Sequence, residues 1–317
     1  MQKTKIYIDG SEGTTGLRIF ERMADRNDIE LISIDPALRK DPAARAACIN
    51  ASDITFLCLP DAAAVEAVSL SANDHVRIID ASTAHRTASG WAYGFPELSA
   101  AHRDAIVAGK RIANPGCHAT GFISLVYPLV AAGILSADAD VSCFSLTGYS
   151  GGGKKMIAQY EQSEGRDAAL DAPRLYGLTQ QHKHLKEMQA VCGLAKAPLF
   201  TPIVADYYAG MLVSVPLAAH QLKGAPTLTQ VHECLSDAYA GQKLVHVLPL
   251  SAQADVGGFL SANGLAGRDS LEIYVTGNDD RMTVCARFDN LGKGASGAAV
   301  QSMNLMMGCD ETTGLNV

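Results

Sequence analysis

Three features of the chain predict an α/β protein with two domains. Short β-branched runs alternate with helix-like runs over the first third, a glycine-rich turn joins the first such run to the first helix, and the later strands read as a mixed sheet. The architecture expected is a doubly wound parallel-sheet dinucleotide-binding domain over 1–116, with an α+β catalytic, substrate and oligomerisation domain over 117–294. A terminal helix within 295–317, small and Met residues on its packing side, is expected to pack back on the first domain.

The first strand, KIYID at 5–9, breaks into GSEGTTG. Gly10, Gly13 and Gly16 have the spacing GxxGxxG, and Leu17, Ile19, Phe20 and Met23 then open a helix. In that context backbone N–H groups can approach a pyrophosphate at the helix start, with Ser11, Thr14 and Thr15 beside it. The spacing differs from GxGxxG, so the turn alone also fits a plain glycine-rich connection. Runs at 30–34, 54–59, 76–81 and 110–113 alternate with helices such as 61–70, which means βαβ units and a parallel sheet. Ligands of such sheets gather beyond the carboxyl ends of the strands. Four segments lie at those ends: 10–16, Pro60-Asp61, Ser82 to Arg86, and Asn114 to Cys117. Asp35 is read as closing the second strand, where an acidic residue holds the ribose of NAD. Arg39 and Lys40 can instead take a 2′-phosphate, and both alternatives stand.

Asn114-Pro115-Gly116 is a tight turn directly before Cys117, after which Phe122, Leu125, Val126, Leu129 and Val130 recur at helical spacing. Cys117 therefore stands at a helix start, where free N–H groups and the helix dipole favour a thiolate nucleophile. Pro128 is expected to kink that helix, which ends in a turn at Gly133. A strand at 141–146 leads into TGYSGGGKKM, in which Gly148, Gly153 and Lys154 match part of a phosphate-binding loop. Lys155 stands where a magnesium-binding Ser or Thr would follow, which argues against a nucleotide triphosphatase. A loop that contacts phosphate through Ser150, Gly151 and Lys154, and a flexible connection, are equally compatible with these residues. His182 and His184, read as helical, point different ways and do not form a metal pair; one of them is the candidate acid/base partner of Cys117. Strands at 211–217, 244–248, 271–275 and 283–288 complete a sheet suited to dimerisation.

Composition narrows the function. At 317 residues, 48% hydrophobic and 19% charged, the chain can bury two cores. A net charge of −7 without a basic stripe argues against nucleic acid. No apolar run approaches the ~20 residues of a membrane span. The N-terminus enters a strand at once, which leaves no room for a signal peptide. Eight cysteines without paired spacing read as reduced thiols of a cytoplasmic protein, with no metal framework.

In order along the chain stand GSEGTTG at 10–16, DASTAHR at 80–86, YGFPEL at 93–98, NPGC at 114–117, GYSGGGK at 148–154, HKH at 182–184 and DNLGKGASGAAVQSMN at 289–304. Together they resemble the N-acetyl-γ-glutamyl-phosphate reductases of the shorter type, relatives of aspartate-semialdehyde dehydrogenase. The resemblance implies NADPH-dependent reduction of an acyl phosphate to an aldehyde in arginine biosynthesis, in the cytoplasm; with the broad sheet, a homo-oligomer (dimer or tetramer) is expected. It places the nucleophile on Cys117 and the acid/base on a histidine of HKH. In the longer type that segment reads HRH followed by Thr-Pro-Glu; here Leu185-Lys186-Glu187 follow, and His182 and His184 both stay candidates. Arg86, with its planar fork, is the expected clamp for a phosphate or carboxylate. The nearest alternative is a reductase of another acyl phosphate such as aspartyl phosphate. A dinucleotide sensor would need no nucleophile, and a kinase would use 148–154.

Overall fold

The computed structural model describes residues 3–252 and 256–317. The chain forms two compact units, one made of 1–96, 100–115 and 295–315, the other of 97–99, 116–294 and 316–317.

The first unit holds strands β1 (Thr4–Asp9), β2 (Ile29–Ile32), β3 (Ile54–Leu57), β4 (Arg77–Asp80), β5 (Ala92–Tyr93) and β6 (Arg111–Ala113). They form one parallel sheet in the order β2-β1-β3-β4-β6-β5. Its helices are α1 (Thr14–Met23), α2 (Pro42–Ala51), α3 (Asp61–Ser69) and α4 (Ala100–Ala108). Successive strand residues face opposite sides, so Ile6 and Ile8 enter one core and Tyr7 the other. Ile19, Met23 and Ile106 cover the first face, together with Ala299, Val300 and Met303 of the terminal helix (Gly297–Met307). Ile49, Ala64 and Ala67 cover the second. Because β1 lies between β2 and β3, the connections after β1 and β3 diverge, and a crevice opens at this topological switch point.

The second unit opens with α5 (Cys117–Ala131) and strand β7 (Ser142–Gly148), followed by α6 (Gly153–Tyr160), β8 (Arg174–Leu175) and α7 (Leu185–Cys192). Then come β9 (Leu199–Ala205), β10 (Met211–Ala218), α8 (Leu228–Ala238), β11 (Val245–Val247), β12 (Leu271–Gly277) and β13 (Arg281–Phe288); the terminal helix of the first unit is α9. The sheet order is β11-β12-β13-β10-β7-β9-β8, with β11–β12 and β7–β9 parallel and the other pairs antiparallel.

Helix α5 is buried along most of its length and lies against this sheet. Gly121 makes the close approach possible: a Cβ there would stand 2.4 Å from Cγ2 of Val213 on β10. Pro128 lies inside the helix without ending it. Its missing N–H leaves the Ser124 carbonyl without a helical donor, and the Tyr239 hydroxyl donates to that oxygen at 2.7 Å. On the opposite face Phe144 of β7 and Leu199 of β9 are 45% and 60% exposed, while Leu212, Tyr274 and Cys285 pack with Ala252, Leu248 and Leu260.

Strand β9 runs through Pro202, which as a sequence signal argues against a strand. The Pro202 carbonyl accepts from Tyr176 N–H on the β8 side at 3.1 Å. The N and C=O of a strand residue point the same way, so the missing N–H falls on that side and leaves the β7 ladder intact.

Candidate functional site

In the first unit the loops after β1, β3, β4 and β6 share one edge of the parallel sheet. Gly10 has φ +88°, and a Cβ on Gly16 would stand 2.4 Å from the Gly10 carbonyl oxygen. Gly13 is the N-cap of α1 and supplies no side-chain cap, so the first-turn amides from Thr14 onward keep their orientation toward the loop. Ser11 and Thr15 flank them, half-buried. Pro60 is the N-cap of α3, and the Asp61 carboxylate accepts from Thr83 N–H at 2.9 Å, tying the loops after β3 and β4 together.

Several expected ligands have local duties. Strand β2 ends at Ile32, so Asp35 does not close it; Asp35 begins a turn in which Oδ1 accepts from Ala37 N–H at 2.8 Å. An aspartate two residues from a free amide folds back on its own chain in this way. Arg39 is ion-paired with Glu12 of the glycine turn, and Lys40 is exposed. Ser82 turns its hydroxyl inward to the buried Asp80 carboxylate at 2.7 Å. Nδ1 of His85 lies 2.6 Å from the same carboxylate, and its ring stacks on Trp91 at 4.1 Å. Arg86 donates to the carbonyls of Asn114 (3.0 Å) and Ala81 (3.3 Å), bracing the ends of β4 and β6. Asn114 donates from Nδ2 to the Ala295 carbonyl, while its buried Oδ1 has no hydrogen-bond partner among the described residues.

In the second unit Cys117 is the first residue of α5, half-buried, behind an extended Gly116 that supplies no side-chain cap. The dipole and first-turn amides of a fifteen-residue helix favour a thiolate there. Gly294 packs directly on it: a Cβ on Gly294 would stand 3.1 Å from the Cys117 Cβ. Gly294 belongs to a π-turn, Gly292–Ser296, whose Lys293 makes a fully buried 2.7 Å ion pair with Glu97.

The two expected histidines precede α7 and are not part of it; His184 is its N-cap. Freed from helical geometry, their rings meet edge to face with centroids 4.7 Å apart. His184 N–H donates to Nδ1 of His182 at 3.2 Å. Nε2 of His184 stands 4.0 Å from the buried carboxylate of Glu187, whose other oxygen accepts the Gly116 N–H at 3.2 Å. Glu187 thus joins the histidine segment to the residue before Cys117.

Sequence reasoning passed over His118, Tyr176 and Glu187. Nδ1 of His118 lies 2.7 Å from the Ser145 hydroxyl and Nε2 lies 2.6 Å from the Tyr176 hydroxyl. Its ring is 5.5 Å, centroid to centroid, from both His182 and His184. Burial, with His182 adding to it, pushes its pKa down to about 3, so it is a neutral hydrogen-bonding bridge. The Tyr176 phenol is pushed well up, first by burial and then by the nearby Cys117. The one available signal was the histidine adjacent to the cysteine; Tyr176 and Glu187 carried none.

The glycine loop 148–154 is not an open anion cradle. The N–H groups of Gly148, Tyr149 and Ser150 donate to the carbonyls of Gly210, Tyr207 and Tyr208 at 2.9–3.0 Å. The Ser150 hydroxyl accepts from Nδ2 of Asn290 at 3.0 Å, while Gly151 and Lys154 are exposed. With its first three amides engaged the loop is not built to wrap a triphosphate, which argues against the kinase reading. Among the described residues no group of side chains is arranged to hold a metal ion.

The two units define a class. Residues 35–106 match the semialdehyde dehydrogenase NAD-binding domain, and residues 117–290 match the semialdehyde dehydrogenase dimerisation domain. Solved aspartate semialdehyde dehydrogenases share the fold at low identity. That of Francisella tularensis matches with TM-score 0.71 and 14% identity, over 96% of this chain and 100% of the other. Aspartate semialdehyde dehydrogenase II of Vibrio cholerae, complexed with ASA, matches with TM-score 0.68 and 15% identity, over 97% and 99%. Sequence relatives are nearer. N-acetyl-gamma-glutamyl-phosphate reductase 2 of Nostoc sp. is 46% identical over 99% of this chain and 100% of its own length. The N-acetyl-gamma-glutamyl-phosphate reductase of Brucella ovis is 48% identical over 96% and 99%. The chain belongs to the N-acetyl-gamma-glutamyl-phosphate reductase family.

Proposed function

We propose that the chain reduces N-acetyl-L-glutamyl 5-phosphate to N-acetyl-L-glutamate 5-semialdehyde, with NADPH as reductant and a thioester on Cys117 as intermediate. The observation that carries this reading is the uncapped start of α5, with Cys117 first in the helix and Glu187 linking Gly116 to His184.

A nicotinamide dinucleotide fits the first unit, because the side-chain-free cradle at Gly10 and Gly16 leaves backbone amides for a pyrophosphate. The buried, unpartnered Oδ1 of Asn114 suits an N–H donor. Arg39 and Lys40 support NADP over NAD, since a guanidinium suits a 2′-phosphate. When bound, the dinucleotide supplies the hydride for the thioester carbonyl carbon.

The chain's own residues do the rest. His184 takes the Cys117 proton, and the thiolate sulfur bonds to the acyl carbon. The bond from that carbon to the phosphate oxygen breaks, and phosphate leaves with the electron pair. First-turn amides of α5 are the donors for the oxyanion. After reduction, the imidazolium of His184 protonates the hemithioacetal oxygen. On collapse the C–S pair returns to sulfur, the hydroxyl proton returns to His184, and the aldehyde is released. The Glu187 carboxylate favours the imidazolium that both halves need. We assign this work to the cytoplasm and to a homo-oligomer. The dimerisation-domain match and the exposed apolar side chains of Phe144 and Leu199 on the sheet support self-association.

The test is a reverse assay with N-acetylglutamate semialdehyde, phosphate and NADP. Turnover that exceeds turnover with aspartate semialdehyde supports the reading; the opposite ranking would replace the substrate.

A further inference from the structure

Gln180 has φ +55°, a left-handed conformation that only a few per cent of non-glycine residues adopt. It closes a turn whose Gln180 N–H donates to the Gly177 carbonyl at 3.0 Å. A turn of this kind by itself favours glycine or asparagine. What glutamine adds is reach. Its Nε2 donates to the Phe200 carbonyl at 2.7 Å, and Phe200 N–H donates back to its Oε1 at 3.0 Å. One side-chain amide therefore stands in for a strand residue on the edge of β9, where β8 pairs only with Ile203 and Val204.

The clamp bears on the histidines from two sides. Phe200 presents its ring to both His118 and His182, with centroids 5.2 Å apart in each case. His182 lies two residues beyond Gln180 and accepts the N–H of His184. The segment from 180 to 184 is thus pinned at its base to the strand whose Phe200 packs against the His182 ring.

We propose that Gln180 is a positioning residue for the catalytic histidine: its amide, paired with the Phe200 backbone, holds the segment that sets His184 against Glu187 and Cys117. The proposal rests on the role of His184 argued above. Beside His184 stand the titratable groups His182 on its own segment, Glu187 on α7 and His118 on α5, and His118 bonds Tyr176, whose phenol feels the Cys117 thiol.

The experiment compares wild type, Gln180→Gly and His184→Asn for kcat, KM and the pH dependence of Cys117 alkylation by iodoacetamide, read on the Cys117 peptide by mass spectrometry. Gln180→Gly relaxes the backbone and removes only the clamp, so a purely structural role predicts full activity. The proposal predicts an unchanged KM, a kcat lower by about 10- to 100-fold, and an alkylation midpoint displaced toward the ~8.5 of a free thiol. A wild-type kcat and alkylation profile in Gln180→Gly would overturn it. Should that variant not fold, Gln180→Glu keeps the length and the acceptor but loses the donor to Phe200; a wild-type kcat there overturns the proposal equally. If His184→Asn leaves the profile unchanged, the histidine reading fails and the proposal falls with it. A shift in His184→Asn but none in Gln180→Gly removes the clamp alone.

Discussion

Glu187 accepts a hydrogen bond from the backbone N–H of Gly116 at 3.2 Å, across 71 residues of chain. Gly116 directly precedes Cys117, the proposed nucleophile, so a carboxylate on α7 fixes the geometry at which α5 begins. The same carboxylate lies 4.0 Å from His184 and is 1% exposed. A buried anion between a helix start and an imidazole is a costly arrangement unless both partners need it. Glu187→Gln keeps an acceptor for Gly116 and removes the charge. It should fold normally and lower kcat at least roughly tenfold. Glu187→Ala should also destabilise the fold, by about 1–3 kcal/mol, through the unpaired amide. Chemical denaturation alongside steady-state kinetics separates the two, and a fully active Glu187→Gln would contradict the role.

His184→Asn should lower turnover by about 10²–10⁴-fold, the usual worth of a general acid/base. His182→Asn should cost much less, because His182 accepts the backbone N–H of His184 and its ring packs on Phe200. Steady-state assays of the two variants rank them, and the reverse order would move the role to His182.

Gly13→Val places a branched side chain at the N-cap of α1, over the amides that a pyrophosphate would use. The backbone there is extended with φ −69°, and a Cβ would stand 3.3 Å from the Gly10 carbonyl oxygen, so the fold should survive with a small shift of the turn. Fluorescence titration should show NADPH binding weakened by at least about tenfold. Wild-type affinity in a folded variant would remove the glycine turn from the cofactor site.

The His118 ring makes stability depend on acid. An unfolded histidine takes up its proton near 6.5, whereas the buried His118 does so only near pH 3. The unfolded state therefore binds more protons throughout that window, and stability falls as pH drops through it. The slope contributed is at most about 1.4 kcal/mol per pH unit. His118→Gln keeps a donor and an acceptor for Ser145 and Tyr176, so it should unfold with a flatter pH profile between 6.5 and 3. Denaturant midpoints of the two proteins across that range check this, and parallel profiles would contradict it.

The fold class was legible because its signals are local. Alternating β-branched runs and the turn at 10–16 announce a parallel sheet without any long-range information. The strands at 174–175 and 199–205 carry no clear local signal, one being two residues long and the other running through Pro202. At the candidate site the turn before Cys117 was visible for the same local reason. HKHLKEM has helical propensity throughout, yet the helix starts at Leu185 and leaves both histidines outside it. Glu187, Tyr176 and Gln180 act through contacts with chain segments 20 to 71 residues away, and no period or spacing reports such contacts. Ser82 and Arg86 looked like ligands because they stand at strand ends. Their polar atoms also brace the loops there, which sequence position alone cannot reveal.

The proposed intermediate is a covalent thioester on the first residue of α5. Wild-type enzyme incubated with N-acetylglutamyl phosphate and no NADPH should gain the mass of one acyl group, on the peptide containing Cys117. Cys117→Ser keeps the helix start and should still bind NADPH. A hydroxyl is not ionised usefully near neutrality by a helix dipole, so this variant should neither gain the mass nor turn over. An adduct on any other of the eight cysteines, or near-normal turnover by Cys117→Ser, would contradict the account.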